Sequence, residues 1–374
     1  LKSASEVREL VGEDLWQEFF VQPIGQTIAE SFENDLVRGV VMTDALIGTF
    51  AENFDETLAS NKCFLYHVIG NETGDWNIPV GGMGSVSESM RQAALRFGAK
   101  LEANAEVTAI DGAKTVTYLQ EGAEKTISAD FILVNVAKPT LEKLLGRDSK
   151  HDIEGAQVKV NMLLKRLPKL KSGVDSEAAF GGTFHINENF SQLQTAFEQA
   201  SKGEIPNPLP CEIYCHSLTD PTILGAELQS AGVQTLTVFA LHTPHSLLAN
   251  KNHAEVRDAL QESVIASLNS VLAEDIRDLL LEDVDGNKCI ETKTTQDLED
   301  ALGLPGGNIF HAPLSWPFST ELADHSNPAS AWGVATGQRD IFYCGSSAVR
   351  GGAVSGIAGH NAAAAVLQIL GAKH

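Results

Sequence analysis

The sequence predicts an α/β protein, α+β overall, in which a parallel-type sheet is interrupted by an inserted antiparallel one, and three observations lead there. Asp130 to Val136 is a continuous apolar run, the pattern of a parallel strand covered on both faces. Val158, Val160, Met162 and Leu164 alternate with Lys159, Asn161, Leu163 and Lys165, and Gln234 to Leu241 is a second long strand of mixed pattern, as in a half-exposed antiparallel sheet. Finally, the short apolar strand Ile341 to Cys344 runs through a glycine-rich turn into the alanine-rich stretch Asn361 to Val366. Such a strand, turn and low-bulk helix start lets a backbone approach another group closely, and free N–H groups at a helix N-terminus attract negative charge.

Taken in order, residues 1 to about 60 read as helices, with Leu10, Val11, Leu15 and Phe19 on one face and Gly12 as a weak point. Glycine punctuation follows at Gly70, Gly74, Gly81, Gly82 and Gly84. Ser85-Val86-Ser87-Glu88 then reads as a capping box, Val86, Met90, Ala94 and Phe97 share one helical face, and Gly98 ends the helix. Lys100 to Ile110 places Leu101, Ala103, Ala105, Val107 and Ala109 at alternate positions and turns at Asp111-Gly112 into Thr115 to Tyr118. Residues 100 to 136 and 341 to 344 are expected in one sheet. Val256, Leu260, Val264, Leu268 and Val271 mark an amphipathic helix of some five turns. Two discontinuous domains result, one from residues 80–150 with 301–374 and the other from 1–79 with 151–300.

Length and composition agree with a globular protein: 374 residues and 43% hydrophobic content are ample for a large core. A net charge of −22 argues against nucleic-acid or anionic-membrane binding, which need clustered Lys and Arg. No apolar run reaches the roughly 20 residues of a membrane span and no basic-then-apolar signal opens the chain, so a cytoplasmic protein is expected. The five cysteines, Cys63, Cys211, Cys215, Cys289 and Cys344, are scattered without zinc-like pairing and read as buried free thiols. The eleven histidines form no metal-binding array, so no metal is expected. Because position 1 is Leu, a fragment, a processed form or a tag-cleaved chain is expected.

No Ser-His-Asp or paired-carboxylate constellation is evident. The side chains that could carry chemistry are His67 in Tyr66-His67-Val68, His311 and Trp316 in the run from Phe310 to Trp316, and Arg350 beside the last helix. Each has a plainer reading: His67 on a strand-like segment as a satisfied core histidine, Trp316 between prolines as packing, and Arg350 as half of a surface ion pair.

The run Pro79-Val80-Gly81-Gly82-Met83-Gly84 with its helix, Gly98-Ala99-Lys100-Leu101, Asp220-Pro221, Val238 to Pro244, Gly306-Gly307-Asn308-Ile309-Phe310-His311 and the Cys344 to Ala364 segment stand in the order found in phytoene-desaturase-like flavoproteins. The chain resembles that family, and within it the phytoene dehydrogenase-related branch, over nearly its whole length. The resemblance implies a Rossmann-type FAD-binding domain with an inserted substrate domain of antiparallel sheet and helices, and an enzyme that moves a hydride from a small apolar substrate to flavin. By position, Gly82 and Met83 belong to the cofactor set, Val107 would offer its backbone to the adenine, and Ala137 would close a strand beside the dinucleotide. Gly345 and Ser346 would lie along the ribityl and pyrophosphate, and Arg350, Gly351, Gly352, Ala353 and Val354 at the isoalloxazine. Ser346 stands where many flavoproteins place an acidic residue.

The family also opens with a GxGxxG turn that cradles the pyrophosphate, and these residues contain none. Gly81 to Ser87 comes nearest, with Ser87 in place of the third glycine. The expectation is therefore a family member without its first βαβ segment, partial in its FAD-binding domain, whose open sheet edge a second copy would cover as a homodimer. Two competing readings follow: a non-catalytic binding module or incomplete gene product without FAD, and an amine-oxidase-like flavoprotein marked by an aromatic pair framing the flavin, of which Trp316 and Tyr343 are not diagnostic.

Overall fold

The structure, a computed structural model, describes residues 1–68, 77–112, 114–319, 326–349 and 356–371. Its strands are β1 (Ala105–Ile110), β2 (Thr115–Gln120), β3 (Ala123–Ser128), β4 (Ile132–Val134), β5 (Val158–Leu164), β6 (Phe184–Ile186), β7 (Cys211–Tyr214), β8 (Gln234–Ala240), β9 (Ile290–Lys293) and β10 (Ile341–Tyr343). They form three sheets: β1-β2-β3, β10-β4, and β6-β7-β8-β5-β9. The mixed helix and sheet content is that of an α/β protein. Among the described residues no helix is long and apolar enough to cross a membrane.

The chain divides into two compact units, Leu1–Gln22 with Glu102–Glu154 and Leu298–His374, and Pro23–Leu101 with Gly155–Asp297. These bounds differ from the sequence boundaries at two places. Residues 1–22 join the first unit because Ala4 N–H donates to the Ser319 carbonyl (3.0 Å), Ser319 N–H donates to the Lys2 carbonyl (2.9 Å), and Trp16 and Phe20 pack on Trp316 and Phe318. Residues 80–101 join the second because Asp220 Oδ2 accepts the Gly81 N–H at 2.7 Å.

In the first unit β4 and β10 pair in parallel, Ile132 with Ile341 and Val134 with Tyr343. Ile132, Val134, Phe342 and Tyr343 are buried with Leu141, Val334 and the alanines of the helix Ile357–Ile369. The β1-β2-β3 meander is a separate antiparallel sheet, which corrects the expectation of one sheet. Its residues explain the separation: Glu106, Thr108, Glu124, Lys125 and Thr126 are polar and exposed or half-exposed, and a sheet covered on both faces has no place for them.

In the second unit β5 lies between β8 and β9, antiparallel to both. Val158, Val160, Met162 and Leu164 are buried while the intervening side chains reach solvent, the period-2 division the sequence showed. The buried face packs on Val256, Leu260, Val264 and Leu268 of the helix His253–Val271. Cys63, Cys211 and Cys215 are buried free thiols, and Cys289 and Cys344 are half-buried.

Helix starts follow capping chemistry, with one displacement. The helix Ala4–Val11 begins with a complete capping box, Ser3 accepting from Glu6 N–H and the Glu6 carboxylate accepting from Ser3 N–H, and it stops at Gly12, whose φ is 84°. The Ser85–Glu88 box does not form. The helix Met83–Arg96 starts earlier, capped by Gly82 at φ 75°, so Ser85 donates its hydroxyl to the Gly82 carbonyl and Glu88 pairs with Arg91.

Candidate functional site

The carboxyl ends of β4 and β10 bring together two turns of the first unit that are about 210 residues apart in sequence. Cys344 N–H continues the pairing to the Val134 carbonyl at 2.9 Å. Ser347 Oγ donates to the Val136 carbonyl at 2.8 Å and ties the turns together. The chains approach so closely that a Cβ on Gly345 would lie 1.5 Å from Asn135 Oδ1. Ala348 N–H closes the second turn on the Gly345 carbonyl (3.0 Å), which leaves the N–H groups of Gly345, Ser346 and Ser347 with no hydrogen bond among the described residues. Ala137 is buried at the mouth of the same site and caps the short helix Lys138–Leu144.

Successive unpaired backbone donors form a concavity suited to anionic oxygens. The carboxyl ends of adjacent parallel strands are also where open α/β sheets place their ligands. The residues present therefore fit one stretch of a phosphate-bearing dinucleotide such as FAD. Ala137, Gly345 and Ser346, named from sequence, meet here; Asn135 and Ser347 were missed, although a serine in a glycine turn beside a buried strand was a legible signal. Val107 lies in the same unit on β1, before a β-bulge. Gly82 and Met83 lie in the second unit, where the neighbouring Gly81 N–H is already taken by Asp220. Arg350, Gly351, Gly352, Ala353 and Val354 lie outside the described residues.

The three candidate side chains fall in both units. His67 belongs to the helix Ala59–Val68, which corrects its placement on a strand; its Nδ1 lies 2.9 Å from the carbonyls of both Asp44 and Cys63. Burial pulls its pKa down, only partly offset by those carbonyls and the Asp44 charge, so the ring is neutral near pH 7 with the proton on Nδ1. The adjacent Cys63 thiol is pushed up to about 12 by burial and is chemically quiet. In the first unit His311 is half-buried, holds a positive φ of 65°, and has its pKa lowered by burial. Trp316 stacks on Phe318 at 5.7 Å and leans on Phe20 at 5.3 Å. Tyr343 is buried in β10, its phenol pushed up to about 12 by burial.

The second unit also carries a cavity of ≈ 430 Å³ on the β5, β8 and β9 face, where Leu163 and Ile290 stand among the polar and charged Asn161, Thr235, Thr237, Lys288 and Glu291. That volume is in the range of small-molecule sites.

No protein-family model matches the chain. It is 28% identical over 392 residues to the rat protein called pyridine nucleotide-disulfide oxidoreductase domain-containing protein 2, covering 95% of this chain and 62% of that one. Its fold resembles that of an oxidoreductase from Methanosarcina mazei, with a TM-score of 0.53 and 12% identity across 98% of this chain and 72% of that one. It is 52% identical over 362 residues to the Mycobacterium tuberculosis (strain H37Rv) protein Rv0897c, covering 96% of this chain and 67% of that protein. At that identity and coverage, the chain belongs to the Rv0897c family.

Proposed function

We propose that the protein is an FAD-dependent oxidoreductase of the dehydrogenase or desaturase kind, acting on a small apolar substrate. The observation that carries this reading is the row of N–H groups, Gly345 to Ser347, that have no hydrogen bond among the described residues and lie at the carboxyl ends of two parallel strands. The relative called a pyridine nucleotide-disulfide oxidoreductase domain-containing protein supports the redox half of the reading.

When bound, FAD supplies the redox chemistry by accepting a hydride. The protein's part is to bind, orient and exclude water. Gly345, Ser346 and Ser347 hold anionic or ribityl oxygens, Ala137 walls the β4 side, and Val107 offers backbone to the adenine. Gly82, Met83, Arg350, Gly351, Gly352, Ala353 and Val354 complete the cofactor set by their positions in the family pattern. The first unit carries the residues proposed for the cofactor, and the second is the substrate domain of the family pattern. His311 and His67, both held neutral by burial, are the proton acceptors. Trp316 and its aromatic partners keep water out.

Purification with whatever residues precede Leu1 in its reading frame tests this reading. The protein should carry flavin absorbance through gel filtration and release FAD on heating. A colourless protein that fails to bind added FAD would overturn it.

A further inference from the structure

The second unit buries a group of ionisable side chains that the proposed redox chemistry does not use. Glu212 stands on β7, directly opposite His185 on the edge strand β6. The chain then turns at Asn187, with φ 59°, and brings Glu188 back so that its Oε2 bonds His185 Nδ1. Glu188 is 1% exposed and Glu212 4%. Among the described residues Glu188 Oε1 and Glu212 Oε2 have no hydrogen-bond partner and neither carboxylate is in an ion pair with a lysine or arginine, although the Thr43 and Tyr214 hydroxyls lie near enough to Glu188 and Glu212 to favour their charged forms.

Other elements add negative charge or neutral groups. Asp44, following the helix Asp35–Thr43, acts on His185, Glu188 and Glu212, and His67 on the helix Ala59–Val68 faces Asp44. Tyr214 and Cys211 on β7 have their pKa values raised, chiefly by burial and then by these carboxylates, and remain protonated. Two buried carboxylates, a third nearby and one imidazole cannot all be satisfied as separate ions, because an unpaired buried charge is far costlier than a neutral acid. The side chains are not grouped closely enough to hold a metal among the described residues. The ligand that fits the orphan oxygens is a proton.

We propose that His185, Glu188 and Glu212 form a proton-binding switch that locks edge strand β6 and the start of the helix Phe190–Ser201 when protonated and loosens them when the proton leaves. His185, the half-buried member, is the route to solvent. The Glu188 backbone is the seat of the helix Asp35–Thr43, so loosening reaches that helix as well.

Burial raises the Glu212 pKa from 4.5 to about 7, with the Glu188 charge adding to it. Burial alone would lower that of His185, but the Glu188 hydrogen bond and the charges of Glu188, Glu212 and Asp44 outweigh it and raise it. Between pH 4.5 and 7 the folded state thus holds protons that the unfolded chain releases, and stability falls as pH rises through that window. His67, whose pKa is lowered, acts with the opposite sign, so the informative quantity is the difference between wild type and a variant.

Urea unfolding of the full chain at pH 5 and pH 8 should show wild type losing at least about tenfold in its folding constant relative to Glu212→Gln. The amide protection factor at Ile186, corrected for the intrinsic pH dependence of exchange, should fall above pH 7 in wild type only. Parallel pH profiles for the two proteins would overturn the proposal. If Glu212→Gln does not fold, ¹³C NMR of wild type labelled at glutamate carboxyls decides: a buried glutamate titrating near 7 supports the switch, and glutamates titrating only near 4.5 refute it.

Discussion

A Cβ built on Gly39 would lie 1.7 Å from the carbonyl oxygen of Glu188 and 2.6 Å from the Phe190 nitrogen. Both atoms are backbone and cannot swing aside, so the helix Asp35–Thr43 meets the start of the helix Phe190–Ser201 only through a glycine. Gly39→Ala is expected to destabilise the protein by about 3 kcal/mol, the upper end of overpacking costs. Gly84→Ala, in a helix with nothing within 4 Å of the new methyl, should stabilise by about 0.5–1 kcal/mol. Urea midpoints of the two variants check both; equal effects would show that the Gly39 contact is not tight.

His242 is fully buried between Phe50 and Phe197, with neither ring nitrogen hydrogen-bonded, and burial pushes its pKa down to about 3. Its folded pKa lies below its unfolded one, so its contribution is fully present above pH 6.5 and is lost as pH falls toward 3. The loss should approach about 1.4 kcal/mol per pH unit. His242→Phe should flatten the acid limb of stability by close to one proton. An unchanged limb would mean the ring is protonated in the fold.

Ser347 Oγ ties the turns that follow β4 and β10 through its bond to the Val136 carbonyl. Its replacement by alanine should cost about 1 kcal/mol of stability and weaken flavin binding in a titration followed by fluorescence quenching. Gly352→Val, at a position the family pattern assigns to the cofactor, should reduce flavin binding more than folding. Intact titrations in both would remove the strand ends from the cofactor site.

These 374 residues contain no GxGxxG turn, the element that carries pyrophosphate in this kind of fold. Purified as they stand, they should be largely colourless with little turnover, and fusion of a family-type βαβ segment should raise FAD occupancy. Stoichiometric FAD in the unfused chain, seen after gel filtration, would show that the Gly345–Ser347 donors suffice.

Local periodicity was legible wherever one environment acts along a whole element. The alternation at Val158–Leu164 and the apolar face of His253–Val271 each report a single buried side. The run around Ile132–Val134 reports its pairing with β10 but not cover on both faces: Ile132 and Val134 are buried, whereas Leu133 between them is 44% exposed, which corrects the reading of a strand buried on both sides. Signals shared by two outcomes were not legible. Ser3-Ala4-Ser5-Glu6 and Ser85-Val86-Ser87-Glu88 have the same pattern, yet only the first forms a capping box, because Gly82 lets the second helix begin three residues early. His67 was read on a strand because Tyr66 and Val68 flank it, whereas packing of Cys63 against the turn near Asp44 favours helix. The Glu188–Glu212 pair depends on the turn at Asn187 and on the register of β6 with β7, which the helix Phe190–Ser201 separates in the chain; its one sequence trace is a glutamate inside the apolar strand Cys211-Glu212-Ile213.

The distribution of the five thiols gives the protein a built-in set of chemical clocks. Cys63, Cys211 and Cys215 are sealed in the second unit and reach a thiol-modifying reagent only when that unit opens. Cys344, half-exposed at the turn after β10, is open to the same reagent and would be shielded by any occupant of the strand ends. A timed labelling series read by peptide mass would therefore separate occupancy of the first unit from breathing of the second, without a single substitution.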